Sequence, residues 1–228
     1  MKIATKLTFM ILVLGLALTS CKNKAAGDKA KTGDAVGTAA SAANSVSYKI
    51  DANSKVYWTG TKPTGSHTGT IDIKTGKLDA VGDKITGGMF MLDMNTITNT
   101  DMKAGDGKED LEAHLKGTSE ENADHFFNVA KYPQATFVIT KVADSSAGGP
   151  ATHNITGDLT LKGKTKSVTF PASVVIAGDK INATAPAFTI NRTEWGVNYG
   201  SKSVFDDLKD KFINDEISLT VDMTATKM

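Results

Sequence analysis

The stretch ITGDLTLKGKTKSVTFPASVVIAGDKINATAPAFTI, from Ile155 to Ile190, decides the fold. Its apolar residues, Ile155, Leu159 and Leu161, alternate with polar ones, a period of two that puts one face of a strand against a core and the other in water. Tight turns at Gly163 and Gly178 divide the stretch into three successive strands. The stretch therefore predicts an antiparallel meander.

The same alternation continues on both sides of this meander. In the last segment, Glu216 to Ala225, every second residue is apolar, beginning with Ile217 and Leu219. Further strands are predicted over residues 55–61, 67–73, 77–81, 84–94 and 135–142, with turns at Thr75-Gly76 and Asp83-Lys84. About nine strands result, enough for an antiparallel sandwich or for a closed barrel without exposed edges. The sequence predicts an all-β domain.

Two short helices are predicted between the strands. Thr118 and Glu121 fit a capping box, in which each side chain bonds the other residue's backbone N–H, so a helix is predicted to start there and run toward Phe127. A second helix is predicted over residues 204–210. The first helix would deliver Phe126 and Phe127 to the apolar interior.

The N-terminus has the pattern of an export signal. Lys2 and Lys6 precede LTFMILVLGLAL, which has the length of a signal-peptide core and is too short to span a membrane. The run ends in LTSC, which resembles the lipobox of bacterial lipoproteins. Residues 1–20 are therefore predicted to be a lipoprotein signal peptide and Cys21 the acylated first residue of the mature chain, with ordinary cleavage nearby and a free thiol as the alternative.

Residues 21–47 are predicted to be the lipidated cysteine and a flexible tether, because small and polar residues dominate them. The domain then covers residues 48–228. An anchored chain would lie in the bacterial cell envelope, and Lys22, where Asp would favour retention at the inner membrane, predicts the outer membrane. We expect the chain to face the periplasm, although Lys22 does not distinguish the two faces of that membrane, and the choice between monomer and homodimer stays open.

Composition argues against several classes of function. The formal net charge is +1 and no basic stripe with interleaved aromatic residues occurs, so no nucleic-acid partner is predicted. Cys21 is the only cysteine, which rules out an intramolecular disulfide and a cysteine-based zinc cluster.

The sequence contains no recognisable catalytic motif. The run 157–165, GDLTLKGKT, resembles a phosphate-binding loop, but five residues rather than four separate its glycines and the run alternates like a strand. No G-x-S-x-G, H-E-x-x-H or G-x-G-x-x-G motif occurs. Ser66 and His67 are adjacent, so on a strand they would face opposite ways.

Four other side chains, Glu112, His114, Asp124 and His125, raise the hypothesis of a metal-dependent enzyme or hydrolase. Glu112 and His114 would face different sides of a helix, however, and nothing in the sequence brings the other two back to them. No metal, cofactor or catalytic residue is therefore predicted, and the enzyme stays as an alternative.

Two motifs occur in order along the chain, HL at 114–115 with FF at 126–127 and YPQATF at 132–137, then GDLTLKGKTK at 157–166 with Val168. In these motifs the chain resembles the YceI-like, or polyisoprenoid-binding, family. INRTEWG at 190–196 is similar to the family's I-x-R-x-x-[FW]-G segment, and VYWTGTK at 56–62 with HTG at 67–69 resembles a lipoprotein branch. This resemblance implies an extended, lipocalin-like antiparallel β-barrel of about eight strands that holds a long isoprenoid chain, with no catalysis established for the family.

A polyprenyl chain has no hydrogen-bonding groups along its length, so its site needs a dry tube and a few polar groups at one end. The predicted tube wall is Phe90, Leu92, Phe126, Phe127, Phe137, Phe170, Phe188 and Trp195. His67 and Arg192 are predicted at the polar end.

The sequence thus predicts a non-enzymatic envelope lipoprotein that sequesters or transports an isoprenoid or similar lipid. The same aromatic residues could instead fill the barrel as solid core. A structural or stress-associated envelope protein without ligand is therefore the remaining alternative.

Overall fold

A computed structural model of the chain describes residues 24–37, 42–145 and 150–228. The predicted signal peptide and Cys21 lie outside the described residues. None of the helices in the described ranges is long and apolar enough to cross a membrane.

The described residues form twelve strands and one α-helix. The strands are β1 (Asp28–Lys29), β2 (Lys31–Asp34), β3 (Val46–Ile50), β4 (Lys55–Lys62), β5 (Gly65–Val81), β6 (Lys84–Asp93), β7 (Thr98–Asn99), β8 (Gln134–Asp144), β9 (His153–Leu161), β10 (Lys164–Ala177), β11 (Lys180–Asn191) and β12 (Glu216–Lys227). The helix α1, Lys108–Lys116, lies between β7 and β8, and short 3₁₀ helices occur at Met94–Thr96, Arg192–Trp195 and Lys209–Lys211.

Eight strands form a closed antiparallel barrel. Neighbouring strands pair in the order β4, β5, β6, β8, β9, β10, β11 and β12. The barrel closes because β12 also pairs with β4, where Leu219 lies opposite Trp58. Side chains at alternate positions point inward and form one hydrophobic core. The prediction of an all-β, lipocalin-like antiparallel barrel of about eight strands is confirmed, and so are the turns at Gly163 and Gly178.

β3 and β4 occupy one position in the barrel, one after the other, between β5 and β12. The break between them is bridged by buried Ser54, whose hydroxyl accepts from the Thr224 amide at 3.1 Å and lies 3.2 Å from the Thr224 carbonyl oxygen, to which it donates. The Ser54 side chain thus supplies hydrogen bonds to β12 where the strand backbone is interrupted.

The predicted turn at Thr75-Gly76 is wrong, because residues 65–81 form one long strand. β5 carries a bulge between Ile73 and Thr75 opposite β6. A Cβ atom at Gly76 would lie 2.6 Å from the Met89 carbonyl oxygen and 2.7 Å from Cδ1 of Ile50. Glycine is therefore needed here for a close approach of neighbouring strands and not for a turn.

The predicted helix starting at Thr118 is also wrong. The helix α1 ends just before it, because Gly117 adopts the left-handed conformation and its N–H bonds the carbonyls of Ala113 and His114. The following residues up to Phe127 form consecutive turns. The second predicted helix, 204–210, is likewise wrong, because a turn, a bend and irregular residues there lead into the 3₁₀ helix Lys209–Lys211.

Over residues 27–37 the predicted flexible tether is instead an ordered part of the sheet, which we call the strap. β10 and β11 pair directly with each other only from Ser173 to Ala177 of β10. In the gap beyond, β2 pairs with β10 and β1 pairs in parallel with β11. Ala30 of the strap is buried, and its N–H donates to the Thr189 carbonyl at 2.8 Å. The strap thus completes the wall where two barrel strands diverge.

Asp158 fastens the C-terminal end of the strap. Asp158 lies on the outer face of β9, yet it is only 7% exposed. Its carboxylate accepts the backbone N–H groups of Val36, at 3.1 Å, and Gly37, at 2.8 Å. Hydrogen bonds to an ionised acceptor are stronger than neutral ones, so this carboxylate anchors a segment that has little apolar surface of its own.

We expect Asp158→Ala to release the strap while the barrel stays folded. The N–H groups of Val36 and Gly37 would lose their acceptor, and hydrogen–deuterium exchange of the strap amides should become faster. Thr160→Ala, on the same outer face of β9, is the matched control, because the Thr160 hydroxyl bonds Thr165 and not the strap. Equal strap exchange in both variants would contradict the assigned role of Asp158.

Candidate functional site

The barrel encloses a cavity of about 230 Å³ at the end covered by α1. Its walls are inward-facing aliphatic and aromatic side chains of seven barrel strands, and Leu111 and Leu115 of α1 close it from above. The principal apolar lining residues are Val56, Trp58, Ile71, Leu92, Met94, Ile97, Phe126, Phe127, Leu159, Leu161, Ile190, Val197, Ile213, Ile217 and Leu219. This arrangement can hold an apolar group out of water.

The polar groups of the cavity lie together at one end, where β4 ends, β5 begins and the chain returns between β11 and β12. They are Thr61, Lys62, His67, Arg192 and Asn214. Lys62 is exposed and makes no ion pair within the described ranges, whereas His67 Nδ1 lies 3.0 Å from an Asp101 carboxylate oxygen. The cavity therefore has an apolar main part, which we call its dry body, and a polar end.

Arg192 is buried, and its guanidinium donates hydrogen bonds to backbone carbonyl groups. Its Nε, Nη1 and Nη2 groups donate to the carbonyls of Asn214, Val197 and Ile213 at 3.1, 2.7 and 3.1 Å. Asp215 lies 3.7 Å from Nη2. Burial lowers the pKa of Arg192 and the nearby Asp215 charge opposes that shift. The guanidinium thus fixes the loops at the polar end, and its contact with a ligand stays a prediction.

The predicted wall residues separate into three groups. Leu92, Phe126 and Phe127 line the large cavity, as do His67 and Arg192. A second cavity of about 50 Å³ at the other end of the barrel is lined in part by Phe90, Phe137 and Phe170.

Phe188 and Trp195 line neither of these two cavities. Phe188 stacks on Phe170, with ring centroids 4.4 Å apart. Trp195 is fully buried in a 3₁₀ helix, where its Nε1–H donates to the Leu159 carbonyl at 3.0 Å. Both rings are used in packing, and their contact with a ligand stays a prediction.

Trp58 is a wall residue that sequence reasoning missed. Its indole lies against the backbone of Gly69 so closely that a Cβ atom there would be 2.4 Å from Trp58 Cζ2. Val56, Trp58 and Gly60 alternate with polar or exposed residues in β4, and this period of two was the signal available in the sequence. Ile217 and Leu219 of β12 carry the same signal.

Two of the candidate metal ligands, His114 and His125, belong to an aromatic cluster. His114 Nε2 lies 2.9 Å from His125 Nδ1, and the Tyr199 ring stacks on His125 at 4.3 Å. The ring of Phe126 meets His114 edge-on at 5.1 Å and lies 5.4 Å from Tyr199. The cluster fixes Phe126 against the cavity.

The other two candidate metal ligands, Glu112 and Asp124, form hydrogen bonds with other residues. Glu112 accepts from the Thr98 hydroxyl at 2.6 Å and the Asn99 amide at 2.9 Å, which ties α1 to β7. Asp124 accepts from the Asn128 side chain at 2.9 Å. Across the ranges that the structure covers, no three His, Cys, Asp or Glu side chains converge to hold a metal ion.

The family model of the YceI-like domain matches residues 48–225. The chain belongs to this family. Among curated relatives, Protein YceI of Escherichia coli O17:K52:H18 is 42% identical over 84 residues, 37% of this chain and 38% of that protein. A UPF0312 protein of Shewanella denitrificans is 39% identical over 84 residues, 33% of this chain and 42% of that protein. The matched segments thus span less than half of these YceI-like relatives.

Two solved structures share the YceI-like fold. A polyisoprenoid binding domain from Saccharophagus degradans, implicated in plant cell wall breakdown, has a TM-score of 0.55 at 13% identity and covers 80% of this chain and 99% of its own. BcnA of Burkholderia cenocepacia has a TM-score of 0.51 at 24% identity and covers 77% of this chain and 100% of its own. At these identities the two structures support the fold alone.

We expect the stability of this YceI-like protein to fall in mild acid through His114. Burial, and after it the charge of His125, lower the pKa of His114 below its ordinary 6.5. The unfolded chain then binds more protons than the native state, so the free energy of unfolding should decrease as the pH falls below about 6.5. In His114→Gln this decrease should be smaller, measured by urea unfolding at a series of pH values.

The control for that measurement is His153→Gln at the start of β9, away from the aromatic cluster. It should keep the wild-type dependence on pH. If His114→Gln lost as much stability in acid as the wild type, the assignment to His114 would be wrong.

Proposed function

We propose that this protein binds a long apolar ligand, an isoprenoid or a similar amphiphilic lipid, inside its barrel, for sequestration or transport, and that it is not an enzyme. One observation carries the proposal: a cavity of about 230 Å³ with almost wholly apolar walls and its polar groups gathered at one end. A chain would lie in the dry body with its head group at the polar end.

The energetics favour a chain in this position. Each methylene transferred from water into such a cavity contributes about 0.8 kcal/mol. Pockets for drug-sized ligands usually measure about 300–1,000 Å³, so the cavity would take part of a long chain and leave the rest outside or require the barrel to adjust. The Saccharophagus degradans domain, which shares the fold, is a polyisoprenoid binding domain, and we propose the same ligand class for this chain.

The polar end suits a head group that accepts hydrogen bonds or carries negative charge. Lys62 presents an ammonium group at this end, and His67 lies beside it with Asp101 as its partner. Both side chains stand where a lipid head group would emerge from the cavity, so polar contacts are available without exposing the chain to water.

A membrane anchor at Cys21 completes the proposal. Asp28, where the strap joins the barrel, lies only seven positions after Cys21. Seven extended residues reach at most about 25 Å. The barrel would then lie close to the membrane that holds the anchor, proposed to be the outer membrane facing the periplasm, and could draw its ligand from that membrane.

Protein purified from cells should carry lipid that native mass spectrometry detects and organic extraction recovers. Phe126→Asp combined with Phe127→Asp should abolish lipid retention, because two carboxylates in the apolar wall would have to be desolvated beside the chain. A fluorescent polyprenyl probe should bind the wild type and not this double variant.

Tyr57→Asp is the matched control, because this aromatic residue is exposed on the outer face of β4. It should retain lipid like the wild type. A wild-type protein that yields no lipid and binds no polyprenyl probe would refute the carrier, and full retention in a folded double variant would refute the proposed position of the chain.

The anchor is tested separately with Cys21→Ser. Without the sulfur that receives the acyl chain, the protein should move from the membrane fraction to the soluble fraction and should not incorporate radiolabelled palmitate. A serine variant that remains in the membrane fraction would contradict acylation at Cys21, but it would leave the binding proposal intact.

A further inference from the structure

Four phenylalanine rings form a continuous row inside the barrel. Phe90 lies 5.3 Å from Phe137, Phe137 lies 5.6 Å from Phe170, and Phe170 stacks on Phe188 with centroids 4.4 Å apart and planes within 3°. The rings come from four different strands, β6, β8, β10 and β11. All four residues are less than 10% exposed. We call them the aromatic layer.

The remaining strand in this part of the wall, β9, makes room for the layer with a glycine. A Cβ atom at Gly157 would lie 2.3 Å from Cζ of Phe137, which is too close for any other residue. The Phe137 ring therefore lies directly over the backbone of Gly157 on the neighbouring strand. Its position is determined by backbone on one side and by two neighbouring rings on the other.

The aromatic layer stands between the two cavities. Along β6, Leu92 lines the large cavity and Phe90 the small one; along β8, Ala135 and Phe137 do the same. Successive inward positions on a strand are about 7 Å apart. The small cavity, of about 50 Å³, is also apolar, with Ile139, Ile155 and Met223 among its walls. A chain could therefore pass from one cavity to the other if the rings moved aside.

We infer that the aromatic layer, and Phe137 in particular, sets the length of apolar chain that the protein accommodates. This inference rests on the proposed function and deepens it. A chain entering from the polar end gains burial with each carbon until it reaches the rings. Further carbons would have to remain outside the barrel, so affinity stops rising with length.

The inference is tested with a series of linear primary alcohols, lengthened by one methylene at a time and measured by displacement of a fluorescent polyprenyl probe. For wild-type protein, affinity should rise by up to about four-fold per methylene and then level off. Phe137→Ala and the milder Phe137→Leu should both move the levelling point to longer chains, because they open a passage to the small cavity.

Phe137→Leu is included because truncation of a buried Phe to Ala is strongly destabilising, whereas a swap to another large apolar residue is tolerated better. Met223→Ala is the matched control, since it enlarges the small cavity without interrupting the rings. The affinity of Met223→Ala for the alcohols should level off at the same chain length as that of the wild type.

The outcomes separate the two proposals. If the wild type binds no alcohol of any length, the proposed function fails and this inference fails with it. If the wild type binds the series but folded Phe137→Leu levels off at the same length, the function stands and the role of Phe137 is refuted. A shift in Met223→Ala equal to that in Phe137→Leu would also refute it, because cavity volume alone would then explain the change.

Discussion

Closure of the sheet is the constraint on which the rest of the structure depends. Backbone groups in a strand need partners on both sides, and only a closed barrel supplies them throughout. Here closure is incomplete where β10 and β11 diverge, and the strap supplies the missing pairs. A carboxylate on the outer face, Asp158, holds the strap in place. A segment with the composition of a linker thereby becomes part of the wall.

Closure also creates an interior that side chains must fill, and they fill it unevenly. At one end four phenylalanine rings pack against each other, while at the other end smaller inward residues such as Ala135 leave a cavity under α1. Unfilled space forgoes dispersion contacts, so a large dry void lowers stability unless something occupies it. The uneven filling is thus easier to understand for a binding protein than for a solid structural barrel.

The sequence predicted those features that follow from local periodicity. Alternation located the barrel strands, and Gly163 and Gly178 marked their turns correctly. Features that depend on distant partners were missed: β1 and β2 are strands only because β10 and β11 leave edges for them, and Gly76 is a point of close approach that resembles a turn. Likewise, alternation puts Leu92 and Phe90 on the same inner face, but only the tertiary arrangement assigns them to different cavities.

The candidate site contains polar residues whose structural roles only the tertiary arrangement reveals. A histidine or an arginine in a sequence suggests chemistry, whereas here His114, His125 and Arg192 satisfy structural needs: a ring cluster that holds Phe126, and carbonyls that would otherwise be buried without donors. Once these needs are met, the side chains facing the cavity are chiefly hydrocarbon. For the proposed ligand, selectivity along the apolar chain would then come from shape, that is, from the length and width of the cavity, because an apolar wall distinguishes ligands by volume and not by directed hydrogen bonds.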